Sequence, residues 1–168
     1  ESIYINNNFK GKLNGNFHTI RNIKNNEIMF RMVENGEIRN LTVENINRNI
    51  KKGESTALIN SLNNATIDGL HVKNMTVKIE KNDVNMSIGG LVNYVSSSII
   101  KNSSITNFYV ESKEEVKIRS IGSIVSRGDS VRVQNCFAQN LNYQIENAFN
   151  VNGIGGLVGF LNALSEIQ

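Results

Sequence analysis

The side chains able to do chemistry are few, and their spacing limits what they can do. His18 and His71 are the only imidazoles, and neither has another histidine three or four positions away. A zinc site of the His-x-x-x-His kind needs that spacing, so metal ligation is expected at neither. His18 reads as part of a structural motif, and His71, between Leu70 and Val72, reads as an outward side chain in solvent. Cys136 is the single cysteine, so no internal disulfide can form. It falls in an aliphatic column with Leu41 and Leu70, which suits a buried, inert thiol rather than a nucleophile. Cleavage of acidic polysaccharides would need carboxylates clustered on one face, or a Lys or Arg base beside a metal. The aspartates are Asp68, Asp83 and Asp129, at unlike places in the pattern described below, and no acid pair recurs. No catalytic, cofactor-binding or metal-ligating residue is assigned, no cofactor is expected, and the segment reads as a non-enzyme.

Composition narrows the partners. There are 18 basic and 15 acidic residues, interspersed, for a net charge of +3, and 7% of the chain is aromatic. A nucleic-acid binder would show a clustered basic stripe with interleaved aromatics, so none is expected as a partner. No apolar run reaches membrane-spanning length, so no membrane insertion is expected. A length of 168 residues, 39% of them hydrophobic, suits one domain with a substantial core. Proline is absent, while asparagine is the commonest residue type and isoleucine the next. The missing proline fits stacked strands in which every N–H must pair. The Asn and Ile excess fits AT-rich coding DNA as well as it fits a fold. The chain opens without Met, at Glu1, inside Ser2-Ile3-Tyr4-Ile5, which reads as a strand; the expectation is a segment excised from a larger protein.

The elements that would position these residues come from an internal repeat. The segments 37–45, 66–74, 99–107 and 132–140 align, and Ile38, Ile67, Ile100 and Val133 take the same place in each. Thr19-Ile20-Arg21-Asn22-Ile23 offers a shorter version of the same unit. Met29, Leu58, Leu91 and Ile124 precede the four aliphatics by one constant offset, and Leu157 continues the series. Within a unit the apolar positions alternate with polar ones, as Val77 and Ile79 do around Lys78, which is the period of a strand. A period of roughly thirty residues allows three short strands and three turns. The expected fold is therefore all-β: a right-handed parallel β-helix of about five coils, with units near 9–35, 36–64, 65–97, 98–130 and 131–168, forming a single solenoid domain. Asn45, Asn74, Asn107 and Asn140 fall at a turn in four successive units. Asn tolerates left-handed backbone there, and stacked amides can hydrogen-bond along a ladder. The column Asn40, Gly69, Asn102, Asn135 changes once, to the other residue suited to that backbone. An outward column is expected to read Arg21, Arg39, Asp68, Lys101 and Gln134. Its basic members could line a shallow face for an acidic glycan; the other reading is a solvated face of mixed charge.

The stretch Phe9-Lys10-Gly11-Lys12-Leu13-Asn14-Gly15-Asn16-Phe17-His18-Thr19-Ile20 resembles the opening segment of bacterial GLUG repeats. Gly155-Gly156-Leu157-Val158-Gly159 is similar to their glycine-bearing core, and Gly89-Gly90-Leu91-Val92-Asn93 departs from it at the last position. The resemblance covers Phe9 to about Leu161. It implies an extracellular parent, secreted or associated with the cell wall. Such repeats occur in adhesins and upstream of the catalytic domain in Gram-positive zinc metallopeptidases that cleave immunoglobulin A1, although the His-Glu-x-x-His motif of those peptidases is absent here. The expected function is thus a structural spacer or exosite module with flanking domains of the same chain as partners. The alternative is an adhesion module for host protein or glycan, with a β-helix polysaccharide-cleaving enzyme as a third reading. Residues 163–167 are expected to begin another coil or a cap.

Overall fold

The computed structural model describes residues 4–23, 28–51, 55–80, 82–162 and 165–168. The alternating patterns become parallel strands stacked as a β-solenoid, with 80% of the described residues in strand. No helix occurs among the described residues. Four walls enclose the core. The first is built from β1 (Ile5–Phe9), β3 (Phe30–Glu34), β5 (Ile59–Asn63), the opening halves of β8 (Val92–Lys101) and β10 (Val125–Gln134), and β13 (Val158–Leu161). The second holds the starts of β2 (Lys12–Ile23), β4 (Glu37–Ile50) and β6 (Thr66–Ile79), the ends of β8 and β10, and β14 (Glu166–Ile167). The third is the remainder of β2, β4 and β6, then the first part of β9 (Ser104–Gly122) and β11 (Phe137–Phe149). The fourth is β7 (Asn82–Gly89), the end of β9, and β12 (Gly153–Gly155). The strand expected at residues 2–5 falls largely outside the described residues, and β1 begins at Ile5. Of the segment 163–167, Glu166 and Ile167 form β14, which pairs with Arg132 and Val133 and so lengthens the second wall.

The two aliphatic columns read from the sequence stack as expected. Ile38 pairs with Ile67 and Ile67 with Ile100, while Val133 pairs with Ile100. All four are buried, as are Met29, Leu58, Leu91 and Ile124. Leu157, near the open end, is only partly buried. One coil cannot cover its own inner face, so each aliphatic layer is sealed by the layers on either side.

The corners explain the asparagines. Asn40, Gly69, Asn102 and Asn135 have φ of 51°, 73°, 51° and 49°, and Asn45, Asn74, Asn107 and Asn140 have φ of 59°, 55°, 59° and 55°. This is the left-handed region, where a β-branched or bulky residue would be strained. Position by position the side chains then join into a ladder. Asn45 Nδ2 donates to Asn22 Oδ1 at 3.2 Å, Asn74 to Asn45 at 3.0 Å, Asn107 to Asn74 at 2.7 Å, and Asn140 to Asn107 at 2.9 Å. A further corner, between the first and second walls, uses Asn35, Asn64, Ser97 and Ser130 in the same conformation.

The corner between the fourth and first walls is made differently. A Cβ on Gly89, Gly122 or Gly155 would run into the carbonyl oxygen of Val92, Val125 or Val158. The chain folds back on itself too tightly for a side chain, which accounts for the recurring glycine before each aliphatic pair. Small residues line the same fold; Ser120 Oγ and Ser126 Oγ lie 2.8 Å apart.

Two expectations are revised. The stack makes about four turns rather than five. The path from the third wall to the next first wall has one length from Met75 to Val92, Phe108 to Val125 and Leu141 to Val158. It is shorter from Ile46 to Ile59 and shortest from Ile23 to Phe30. The first unit is thus the shortest of the series. Strand number also varies: the turn from Ile59 holds β5, β6 and β7, whereas the turn from Val92 holds two long bent strands, β8 and β9.

Two substitution pairs test this architecture. Leu91→Asp places an unpaired charge in a fully buried layer and is expected to unfold the chain, whereas Lys101→Glu on the surface should shift stability by no more than about 1 kcal/mol; urea denaturation followed by circular dichroism distinguishes them. Asn74→Ala removes two ladder bonds and imposes left-handed strain, an expected loss of about 2–4 kcal/mol, while Asn74→Gly keeps the backbone and should lose about half as much. Equal losses for the alanine and glycine variants would contradict the conformational part of the argument.

Candidate functional site

The residues singled out for chemistry are dispersed over the solenoid. His18, Leu41 and Leu70 occupy one column of the third wall, and His18 is exposed at its open end. Ser103 and Cys136 continue that column, each standing one residue before the paired Ser104 and Phe137. Cys136 therefore shares the column proposed for it, but half-buried beside the last rung rather than enclosed. Its Sγ lies 3.3 Å from the carbonyl oxygen of Gln134, and burial pushes the thiol pKa up, opposite to the shift an activated nucleophile needs. His71 is less solvated than its sequence context implies: Nδ1 sits 2.8 Å from Ser104 Oγ on the next rung. Burial, with Lys73 close by, holds its pKa below the ordinary imidazole value.

The outward charged column needs a correction. Arg39, Asp68, Lys101 and Gln134 do stack, but the residue beneath Arg39 is Asn14. Arg21 lies further along, paired with Glu44, to which its guanidinium Nε donates. Lys101 Nζ meets Asp68 at 3.3 Å. The three basic residues thus form no common face. The same device recurs between other neighbouring rungs: Lys10 with Glu34 at 3.2 Å, Lys78 with Glu111 at 2.8 Å, and Arg132 with Glu166 at 3.0 Å. Hydrogen bonds from Lys78 and Tyr109 hold the Glu111 carboxyl below its usual range. Each pair is solvated, so its chief effect is to match charges across successive coils.

Two residues have surroundings that their types do not suggest. Arg48 points inward, in register with Val77, and burial lowers its pKa to about 10. A signal for this is present in the sequence, since Ile46, Arg48 and Ile50 alternate with Asn47 and Asn49 and so share the inner face. Tyr143 continues the same column through Val110 and packs edge-to-face on Phe108, with ring centroids 5.8 Å apart. Its hydroxyl is buried with no hydrogen-bond partner among the described residues, and burial pushes its pKa up to about 12.

Two depressions lie along the corner between the first and second walls, and another, lined by Glu115, Asn147, Ala148 and Phe149, lies at the end of β11. One depression of about 410 Å³ is lined by Lys12, Gly36, Glu37, Asn64 and Thr66, among others; a second of about 320 Å³, further along, by Ser97, Ser98, Ser130, Arg132 and Glu166. On the adjoining first wall the Arg127 guanidinium lies 5.8 Å from the centroid of the Tyr94 ring. The corner offers hydroxyls, amides and matched charges, a lining suited to hydrogen-bonding a polar chain laid along the axis. Among the described residues no three His, Cys, Asp or Glu side chains come together as a metal-binding group. No family model matches the chain, and neither curated proteins nor solved structures give a match.

The His71 environment makes a pH prediction. The folded state resists protonation, whereas the unfolded chain takes up a proton near about pH 6.5, so below that value the unfolded state binds more protons and stability falls. The urea midpoint is expected to drop between about pH 7 and 5.5, and His71→Gln should flatten that drop. Losses from Glu34 and Glu111, whose carboxyl pKa values lie below 4.5, belong to a more acidic range.

Proposed function

We propose that this chain is a non-catalytic spacer module of a secreted or cell-surface bacterial protein, holding the domains on either side of it apart in a fixed orientation. The observation that carries this reading is the continuity of bonding along the axis. Successive rungs are joined by parallel strand pairing in every wall, by the five-membered ladder from Asn22 to Asn140, and by ion pairs that bridge neighbouring coils. At about 4.8 Å per rung, about four turns give a body roughly 20 Å long that further repeats would extend without changing its section. The likeness of residues 9–20 and 155–159 to GLUG repeats supports an extracellular parent. In an immunoglobulin A1-cleaving zinc metallopeptidase the module would stand ahead of the catalytic domain and could serve it as an exosite.

The depressions along the corner, with Tyr94 and Arg127 beside them, favour a second reading, adhesion to a host glycan or protein. One set of assays separates the two. The purified chain is incubated with immunoglobulin A1, casein and a panel of acidic polysaccharides, with and without zinc or calcium, and binding to the same panel is recorded in parallel. The expected outcome is neither turnover nor saturable binding. Binding abolished by Arg127→Ala would establish the adhesion reading instead, and turnover abolished by changing one surface residue would overturn both.

A further inference from the structure

The two depressions between the first and second walls occupy the same three columns of the solenoid. Asn64, Ala65 and Thr66 line one; Ser97, Ser98 and Ile99, on the next rung, line the other, and Thr66 pairs directly with Ile99. Register pairing carries this corner unbroken from Lys12 through Glu37, Thr66, Ile99 and Arg132 to Glu166. The depressions are therefore parts of one groove, parallel to the axis. We propose that this groove binds a neutral, extended polysaccharide, a β-1,4-linked hexose or N-acetylhexosamine chain seated one sugar per rung.

Charge selects a neutral ligand. Residues 63–66 and 96–99, the middle of the groove, include no ionisable side chain. Toward either end the charges are answered in place: Lys12 lies 3.9 Å from Glu37, and Arg132 lies 3.0 Å from Glu166. On the first-wall margin Glu34 pairs with Asn63 and Asp129 with Ser96, so an acidic chain would meet carboxylates along its length. The lining selects a sugar over a peptide. Backbone groups at the corner are engaged between rungs: Asn64 N donates to Ser96 O at 3.1 Å, Thr66 N to Gly36 O at 3.0 Å, and Ile99 N to Ala65 O at 3.1 Å. A peptide laid across the strands would find no backbone edge to pair with. Side-chain groups remain open. Asn64 Nδ2 is used on Asn35, but Asn64 Oδ1, Thr66 Oγ1 and Ser97 Oγ have no hydrogen-bond partner among the described residues. Sugar hydroxyls donate and accept at once, which suits hydroxyls and amide oxygens of this kind. Rungs about 4.8 Å apart repeat these groups at close to the rise of an extended β-1,4-linked chain. The inference does not rest on the spacer reading; it narrows the adhesion reading to one class of ligand.

Isothermal titration calorimetry of the full chain with cellohexaose and with chitohexaose tests this. Saturable binding of at least one is expected, and the matching disaccharide should bind about tenfold or more weakly, because it engages fewer rungs. Thr66→Lys, which sets a long side chain in the middle of the groove, should weaken hexasaccharide binding about tenfold. Asn64→Gly, which keeps the left-handed backbone, should weaken it about fivefold. Thr76→Lys, on the outward face of the third wall, should leave it unchanged, and circular dichroism checks that all three variants remain folded. The proposal is overturned by no saturable binding of either hexasaccharide, by equal affinity for disaccharide and hexasaccharide, or by tighter binding of hexagalacturonic acid. Binding insensitive to both groove variants, or weakened equally by Thr76→Lys, would overturn it as well. Binding of the earlier panel through Arg127, without binding of these sugars, would keep the adhesion reading and overturn only the neutral-glycan inference.

Discussion

Everything in this molecule rests on parallel strands meeting in register from one rung to the next. The backbone bonds between rungs are made whatever the side chains are, but the layers they produce are not indifferent to sequence. A shift of one residue in any rung would turn its aliphatic row outward and its polar row inward. Register is held from both sides of the backbone. Inside, Val43, Val72 and Ile105 fill successive places in one apolar column; outside, each Asn of the ladder donates to the one before it. The two devices reinforce each other, since the left-handed corner that aims an Asn along the axis also sets the phase of the strand that follows.

That dependence explains which parts of the fold are legible in the sequence. Where the repeat keeps a constant length, the columns of Ile100 and Val133, or Leu91 and Ile124, identify themselves, and the turn-forming Asn positions fall out of the same alignment. Where the repeat contracts, the alignment has no anchor. Thr19-Ile20-Arg21-Asn22-Ile23 looks like a short copy of the segment beginning at Glu37, yet it pairs with Thr42-Val43-Glu44-Asn45-Ile46. An irregularity between Asn14 and His18 displaces it by more than the local pattern reveals. Arg48 misleads for another reason: residue type suggests solvent, while alternation places it inside.

The candidate site is less legible than the fold, for a physical reason. Surface columns on a solenoid are read one rung at a time, and their charges are answered by neighbours that composition alone does not locate. Lys101 looks like part of a basic face until Asp68 is found directly beneath it. The depressions at the Asn64 and Ser130 corner likewise arise from how two walls meet, a property of the backbone rather than of any motif.

The unequal fourth wall has an evolutionary side. The paths from Ile23 to Phe30, Ile46 to Ile59 and Met75 to Val92 differ in length, yet all close onto the same rung-to-rung pairing. The opposite corners, by contrast, keep one constant length from Phe30 to Val43, Ile59 to Val72, Val92 to Ile105 and Val125 to Ala138. Between Phe30 and Ala138, differences in length are therefore absorbed on one side of the perimeter while the remaining three walls hold phase; the first rung departs between Asn14 and His18 and the last between Leu161 and Glu166. A repeat can diverge in length there without losing its neighbours, which makes that side the natural place for a lineage to add new surface, and the place where a designer could graft a loop.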